Sequence, residues 1–175
     1  MKKSYIILAA IGGVLLIIFL MYYNAYSGAV SRQETVNEKW NNVQSAYQRR
    51  VDLIPNLVNT VKGSAKNEKD ILLQVTQARS GIVNAKTPED LEIMGKKINT
   101  AINIMYEAYP EIKSTENFKG LQIQLEGTEN RINTERNRFN EVVAEYNTLI
   151  KSIPQNIYAG WFGFTPRTPF QADAA

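Results

Sequence analysis

Residues 118–153 read FKGLQIQLEGTENRINTERNRFNEVVAEYNTLIKSI. Steps of three and four through this stretch give Phe118, Leu121, Leu125, Thr128, Ile132, Glu135, Phe139, Val142, Tyr146, Leu149 and Ile153, and nine of these eleven positions are apolar or aromatic. That period belongs to an α-helix, and a helix of this length extends about 54 Å at roughly 1.5 Å per residue. Such a helix cannot bury its own stripe. It predicts equally long helical neighbours, from this chain or from copies of it.

The preceding sequence supplies them. From Gly28 onward the same period recurs as Val36, Trp40, Val43, Tyr47, Arg50 and Ile54. At Asp52-Leu-Ile-Pro55 a proline disfavours helical geometry in the residue before it, which predicts a hairpin with Asp52 as cap and Pro55 in the first turn of a second helix. The alternative is one continuous helix kinked at Pro55. The second helix would carry Leu57, Val58, Val61, Ala65, Ile71, Leu72, Val75 and Ala78. Thr87-Pro88-Glu89-Asp90 is a start signal for a third, with Thr87 as cap, Pro88 first in the helix and carboxylates at the positive end of the dipole. That helix carries Leu91, Met94, Ile98, Ala101, Ile102, Met105 and Ala108, and Tyr109-Pro110 stops it. Ser114 or Thr115 caps the last helix. No stretch shows strand alternation. The expected fold is all-α, an up-and-down antiparallel four-helix bundle with coiled-coil-like seams and a long last helix.

Ahead of the bundle, residues 4–31 carry no charge, and Tyr5–Tyr23 is nineteen residues of hydrocarbon and aromatic character. That meets the roughly 20 residues needed to cross a bilayer core. Tyr5, Ile11, Leu16, Phe19, Tyr22 and Tyr23 mark this anchor, its tyrosines at the ends where amphipathic rings prefer the headgroup boundary. A cleaved signal peptide is the competing reading, since Lys2 and Lys3 precede the run and Ser27-Gly28-Ala29 follows it; the apolar run exceeds the usual signal core of about 7 to 15 residues. The basic pair argues for a cytoplasmic N-terminus and an extracytoplasmic domain, opposed in part by Arg32 and Lys39. The division expected is an anchor with its juxtamembrane segment over 1–27, the bundle over 28–154 and a tail over 155–175.

The net charge of +3 overstates basicity. Lys2 and Lys3 set aside, 18 basic residues face 17 acidic ones with the signs interspersed, which lacks the footprint of a nucleic-acid binder. The chain has no Cys and no His. Disulfides, thiolate nucleophiles, His-based acid–base catalysis and nearly all zinc sites are thereby excluded. The expectation is a protein without cofactor, metal or catalytic residues.

The chain resembles the LemA family of bacterial membrane-anchored helical proteins. The resemblance rests on RRVDLIPNLVNTVKG (49–63), YPEIKSTENFKGLQIQLEGTENRI (109–132), NRFNEVVAEYNTLIKSIP (137–154) and AGWFGF (159–164). It implies a single-pass membrane protein with a four-helix bundle and no agreed enzymatic activity. Where many such proteins carry a His after the Val-Lys-Gly stretch, this chain has Asn67.

Two places invite a functional reading. Equal rise along antiparallel first and last helices brings Arg50, a charge on an apolar seam, level with residues near 131, so it either pairs with Glu129 or Glu135 or turns its head to solvent. The closing IYAGWFGFTPRTPF gathers Tyr158, Trp161, Phe162, Phe164 and Phe170 among Gly and Pro, and either lies in the bilayer interface, contacts another subunit, or plugs the end of the bundle. The functional expectation is a non-enzymatic homo-oligomeric scaffold at the bacterial cell membrane with the lipid bilayer as partner. The alternative is an extracytoplasmic module that binds a ligand, in a pocket among Trp40, Tyr47, Phe139 and Tyr146, or engages a membrane protein partner.

Overall fold

The computed structural model describes residues 2–60, 65–108 and 116–171. They form α1 (Lys2–Thr60), α2 (Ala65–Asn84), α3 (Pro88–Ala108), α4 (Glu116–Lys151) and the short α5 (Gln155–Ala159), with no strand among them. The chain divides into two compact units. One comprises residues 1–37 with 142–167, and the other 38–141 with 168–175.

In the first unit, α1 is apolar and exposed over its N-terminal turns, from Tyr5 at 69% to Tyr23 at 60% exposure. It is the one described helix long and apolar enough to cross a membrane. Burial begins only at Ala29 and Val36, and the buried side chains of α4 in this unit are Val143, Tyr146 and Ile150. Here the α4 stripe departs from the expected one. Val142 and Leu149 are half-buried and Ile153 is exposed beyond the helix end. A 3.6-residue helix drifts about 20° per heptad against a strict alternation of three and four, so the stripe takes two consecutive steps of four, Glu135 to Phe139 to Val143, and returns to register. The interactions that order this unit are polar as well: Arg32 pairs with Glu145, and Asn147 brackets the backbone of Arg167, its amide donating to the carbonyl at 2.8 Å and its oxygen accepting from the N–H at 2.8 Å.

In the second unit four helical segments pack together. Arg50 of α1 meets Asn99 of α3 and Glu129 of α4, Asp52 of α1 meets Arg79 of α2, Gln44 of α1 donates to the carbonyls of Ile82 and Ala85, and Arg136 of α4 meets Glu92 of α3 at 3.1 Å. The pairs Trp40–Phe139 and Arg50–Glu129 run oppositely along α1 and α4, as Gln44–Ile82 and Asp52–Arg79 do along α1 and α2, and Arg50 sets Asn99 level with Glu129 while Glu92 meets Arg136, so neighbouring segments are antiparallel in up-down-up-down order. The core includes Val43, Val51, Ile54, Ile71, Ile82, Leu91, Ile98 and Ile132, each at most 2% exposed. Two glycines permit the closest approaches. An added Cβ at Gly95 would meet Tyr47 Cε1 at 3.0 Å, and one at Gly81 would run into Met94 Sδ.

The hairpin expected at Pro55 is absent. α1 continues through Pro55 to Thr60, and the described part of α2 starts five residues later at Ala65. Pro55 forfeits one backbone hydrogen bond and crowds the carbonyl of Val51, about 3 kcal/mol in an isolated helix. Val51, Ile54 and Val58, at 0, 0 and 5% exposure, form an unbroken buried stripe across it, and three such side chains each contribute about 1.5 to 3 kcal/mol, so packing outweighs the proline. Asp52 is accordingly not a cap; it is an exposed partner of Arg79. Leu72, expected on the core stripe, is 42% exposed, because Ile71 and Val75 hold the inward face.

At the other junction Pro88 is the buried first residue of α3. Asp90 N–H donates to Thr87 Oγ1 at 3.2 Å, while Asp90 Oδ2 accepts from the N–H groups of Lys86 (3.0 Å) and Thr87 (2.9 Å). This reciprocal cap satisfies donors that the first turn cannot pair internally. The Lys86 N–H above all, then Thr87, holds the Asp90 carboxyl below its ordinary pKa. Pro110, Ser114 and Thr115 lie outside the described residues.

Two outcomes are expected in chemical denaturation of the full chain in detergent. Pro55→Ala restores the missing N–H and raises the unfolding free energy by about 1 to 2 kcal/mol; a hairpin at this point would lose stability instead. A depressed folded pKa adds stability above the unfolded value near 3.9, and this is lost as pH falls through the lower folded value. The stability gap between the wild type and Asp90→Ala is therefore full at neutral pH and closes below about pH 4.

Candidate functional site

In the first unit, the C-terminal turn folds against the last residues of the apolar run. Phe162 sits edge-on to Tyr22 at 5.3 Å and to Tyr26 at 5.1 Å between ring centroids, and Phe164 lies 5.9 Å from Tyr26. Edge-on rings at these distances are the favoured geometry of aromatic pairs. The turn is built by Gly163, whose φ of +72° is the left-handed conformation that glycine alone adopts without penalty. Phe164 N–H donates to the Ala159 carbonyl at 2.9 Å and Gly163 N–H to the Gly160 carbonyl at 3.3 Å, the paired bonds of a Schellman cap closing α5. Ala159 is buried, while Ile153, Ile157 and Trp161 face outward at 81, 59 and 81% exposure. The aromatic tail thus divides: Phe162 and Phe164 meet the tyrosines of α1, and Trp161 is exposed. The side chain of Tyr158 lies outside the described residues.

Phe170 behaves differently. It belongs to the second unit, where it is 3% exposed, stacked on Trp40 with ring centroids 6.1 Å apart and edge-on to Phe139 at 5.5 Å. The Arg136 guanidinium lies 5.0 Å from its ring centroid. Asn140 brackets its backbone, donating to the carbonyl at 3.0 Å and accepting from the N–H at 2.8 Å. Trp40, Tyr47 and Phe139 therefore belong to packed protein rather than to a ligand cavity, and so does Tyr146, buried in the first unit. Sequence reasoning missed the asparagine brackets and Tyr26. Their one signal is spacing: Asn140 and Asn147 stand seven apart on α4, while Arg167 and Phe170 stand three apart in a Pro-containing tail.

Arg50 pairs through Nη1 with Glu129 and donates from Nη2 to Asn99 Oδ1 at 2.9 Å. Its side chain is 12% exposed and that of Glu129 42%, so the pair is only half withdrawn from water. Burial pulls the Arg50 pKa down from its ordinary value, with Tyr47 and Tyr106 acting the other way, and an arginine so shifted stays charged. Burial, then the Glu126 charge, raises Tyr106, with Arg50 opposing. Glu135, 1% exposed, pairs instead with Arg131 at 2.9 Å and Arg138 at 3.0 Å on its own helix. Its place on the apolar stripe is met by two guanidinium partners, as a buried carboxylate requires.

Also in the second unit, a groove of about 580 Å³ opens between α1 and α4, lined by Asn42, Ser45, Arg49, Gln124, Gly127 and Arg131 among others. Its lining includes two arginines and no carboxylate. No group of three His, Cys, Asp or Glu side chains able to hold a metal occurs among the described residues.

A family model described as the LemA family matches residues 39–175. Protein LemA of Metamycoplasma hominis is 23% identical over 149 residues, which cover 83% of this chain and 65% of that protein. The chain thus spans about two thirds of that relative's length.

Because Glu129 is more than a third exposed, solvent discounts its attraction for Arg50. In unfolding measurements Arg50→Ala is expected to lose about 2 to 3 kcal/mol, since the Asn99 bond and the packed stem go with the charge. Glu129→Ala loses about 1 kcal/mol, and the double variant falls short of the sum by about 1 kcal/mol. Additive losses would show that the two groups do not interact.

Proposed function

This chain belongs to the LemA family, and on that footing we propose that it is a non-enzymatic, single-pass membrane protein that self-assembles into a scaffold at the bacterial cell membrane. The observation that carries the reading is α1 itself. One helix begins as an exposed apolar stretch and ends with one stripe buried in the bundle core, so the bundle is tethered to the bilayer by its own first helix. Lys2 and Lys3 before the apolar run favour an extracytoplasmic bundle.

Self-assembly is supported by apolar side chains that the protomer leaves in water. Leu72 and Val83 of α2, at 42 and 59% exposure, are eleven residues apart and so share one face of the helix, and Ile93 of α3 is 46% exposed. A homo-oligomeric contact buries such residues at little cost. The charged residues serve structure: Arg50, Arg79, Arg131, Arg136 and Arg138 all pair with carboxylates. The groove with Arg49 and Arg131 favours a second reading, an extracytoplasmic module that binds an anionic ligand or an acidic segment of a membrane protein partner.

Particle mass of the full chain in nanodiscs separates the two. The scaffold reading expects a discrete multi-subunit particle that Leu72→Glu with Val83→Glu reduces in mass. A monomer at all concentrations would overturn it.

A further inference from the structure

Ile153, Ile157 and Trp161 are exposed at 81, 59 and 81%, Ile157 within α5 and the other two just before and just after it. Ile157 and Trp161 stand one helical turn apart on α5 and the cap that closes it, with Ile153 just before. The opposite side of that element is occupied, since Ala159 is buried and Phe162 rests on Tyr22 and Tyr26. An element that tucks one aromatic inward and holds a neighbouring tryptophan fully out is not a plug. It has a second surface, and that surface is apolar.

Its height is set by α1. Tyr5–Tyr23 as a helix extends about 28 Å, close to the roughly 30 Å of a bilayer core, so Tyr22 lies at the core boundary and Tyr26, about 6 Å further along, within the headgroup layer. Phe162 touches both rings, which puts the turn in that layer. Tryptophan is the side chain best suited to this depth, with an apolar body and one N–H donor for the wet edge. The span beside it is itself apolar and exposed from Tyr5 to Tyr23. Resting on the reading of α1 as a membrane span, we propose that residues 153–162 form a second, interfacial membrane contact, with Ile153, Ile157 and Trp161 seated among the headgroups and upper acyl chains beside the span. Two contact points limit both the tilt of the span and its rotation about its axis, which a lone helix leaves to the lipid.

The two tryptophans make the test direct. Trp40→Phe keeps an aromatic ring against Phe139 and Phe170 and leaves Trp161 as the sole indole. The full chain is reconstituted into phosphatidylcholine vesicles, with and without brominated acyl chains, and titrated with aqueous iodide. The expected result is blue-shifted Trp161 emission that is mostly lost in brominated vesicles and little changed by iodide. Quenching by iodide alone would place Trp161 in water and overturn the proposal. Protection from both quenchers would bury it against protein, a second copy or the bundle, and overturn it equally. Sedimentation of the vesicles distinguishes the two levels of failure: a chain left in the supernatant refutes the membrane span itself, whereas a chain that sediments with Trp161 in water refutes only the interfacial contact. Should Trp40→Phe fail to fold, subtracting the emission of Trp161→Phe from that of the unaltered chain yields the same spectrum.

Discussion

The structure depends on the continuity of α1, a single helix that passes from an exposed apolar stretch to buried positions. Over its first turns the side chains are apolar and exposed; from Ala29 onward Ala29, Val36, Val43, Tyr47, Val51, Ile54 and Val58 are buried. The buried stripe explains why Pro55 does not end the helix. Breaking there would detach Ile54 and Val58 from the seam that begins twenty-five residues earlier, and one missing hydrogen bond is a smaller loss.

Within the second unit, polar groups specify how the helices align. Arg50 reaches two neighbours at once, Asn99 on α3 and Glu129 on α4, and Arg136 joins Glu92 on α3 to the ring of Phe170. Each such contact adds little net stability when half exposed, yet a slipped register would strand a buried guanidinium. The asparagine brackets act similarly on the tail. In the second unit Asn140 holds the backbone of Phe170, and in the first Asn147 holds that of Arg167. Side-chain amides serve here because each offers a donor and an acceptor to one backbone residue.

Much of this was legible from the chain because long periods leave strong signals. The α4 stripe is readable from Leu125 to Phe139, and equal rise along antiparallel helices places Arg50 near Glu129 before any coordinates are known. What escaped are features that local rules judge wrongly or do not address. Proline is a local stop signal, and at residue 55 a nonlocal seam overrides it. The step from Phe139 to Val143 reflects drift that accumulates only over several turns. The aromatic tail reads as one cluster, but Phe162 and Phe170 go to different units, a division made by the Gly163 turn and the Asn140 bracket rather than by hydrophobicity. The pairing of Glu135 with Arg131 and Arg138 was open because a carboxylate on a stripe has candidates both along its own helix and across to the next.

An unbroken α1 is most directly tested by a distance along it. The chain has no cysteine, so Leu16→Cys and Glu34→Cys accept two spin labels, one in the apolar stretch and one in the segment that follows, on either side of Gly28. Pulsed electron paramagnetic resonance of the full chain in nanodiscs should give one narrow distribution centred near 27 Å, the rise of eighteen helical residues. A broad distribution, or one centred at a markedly shorter distance, would mean that the chain bends or unwinds where it leaves the apolar stretch, and the account would fail.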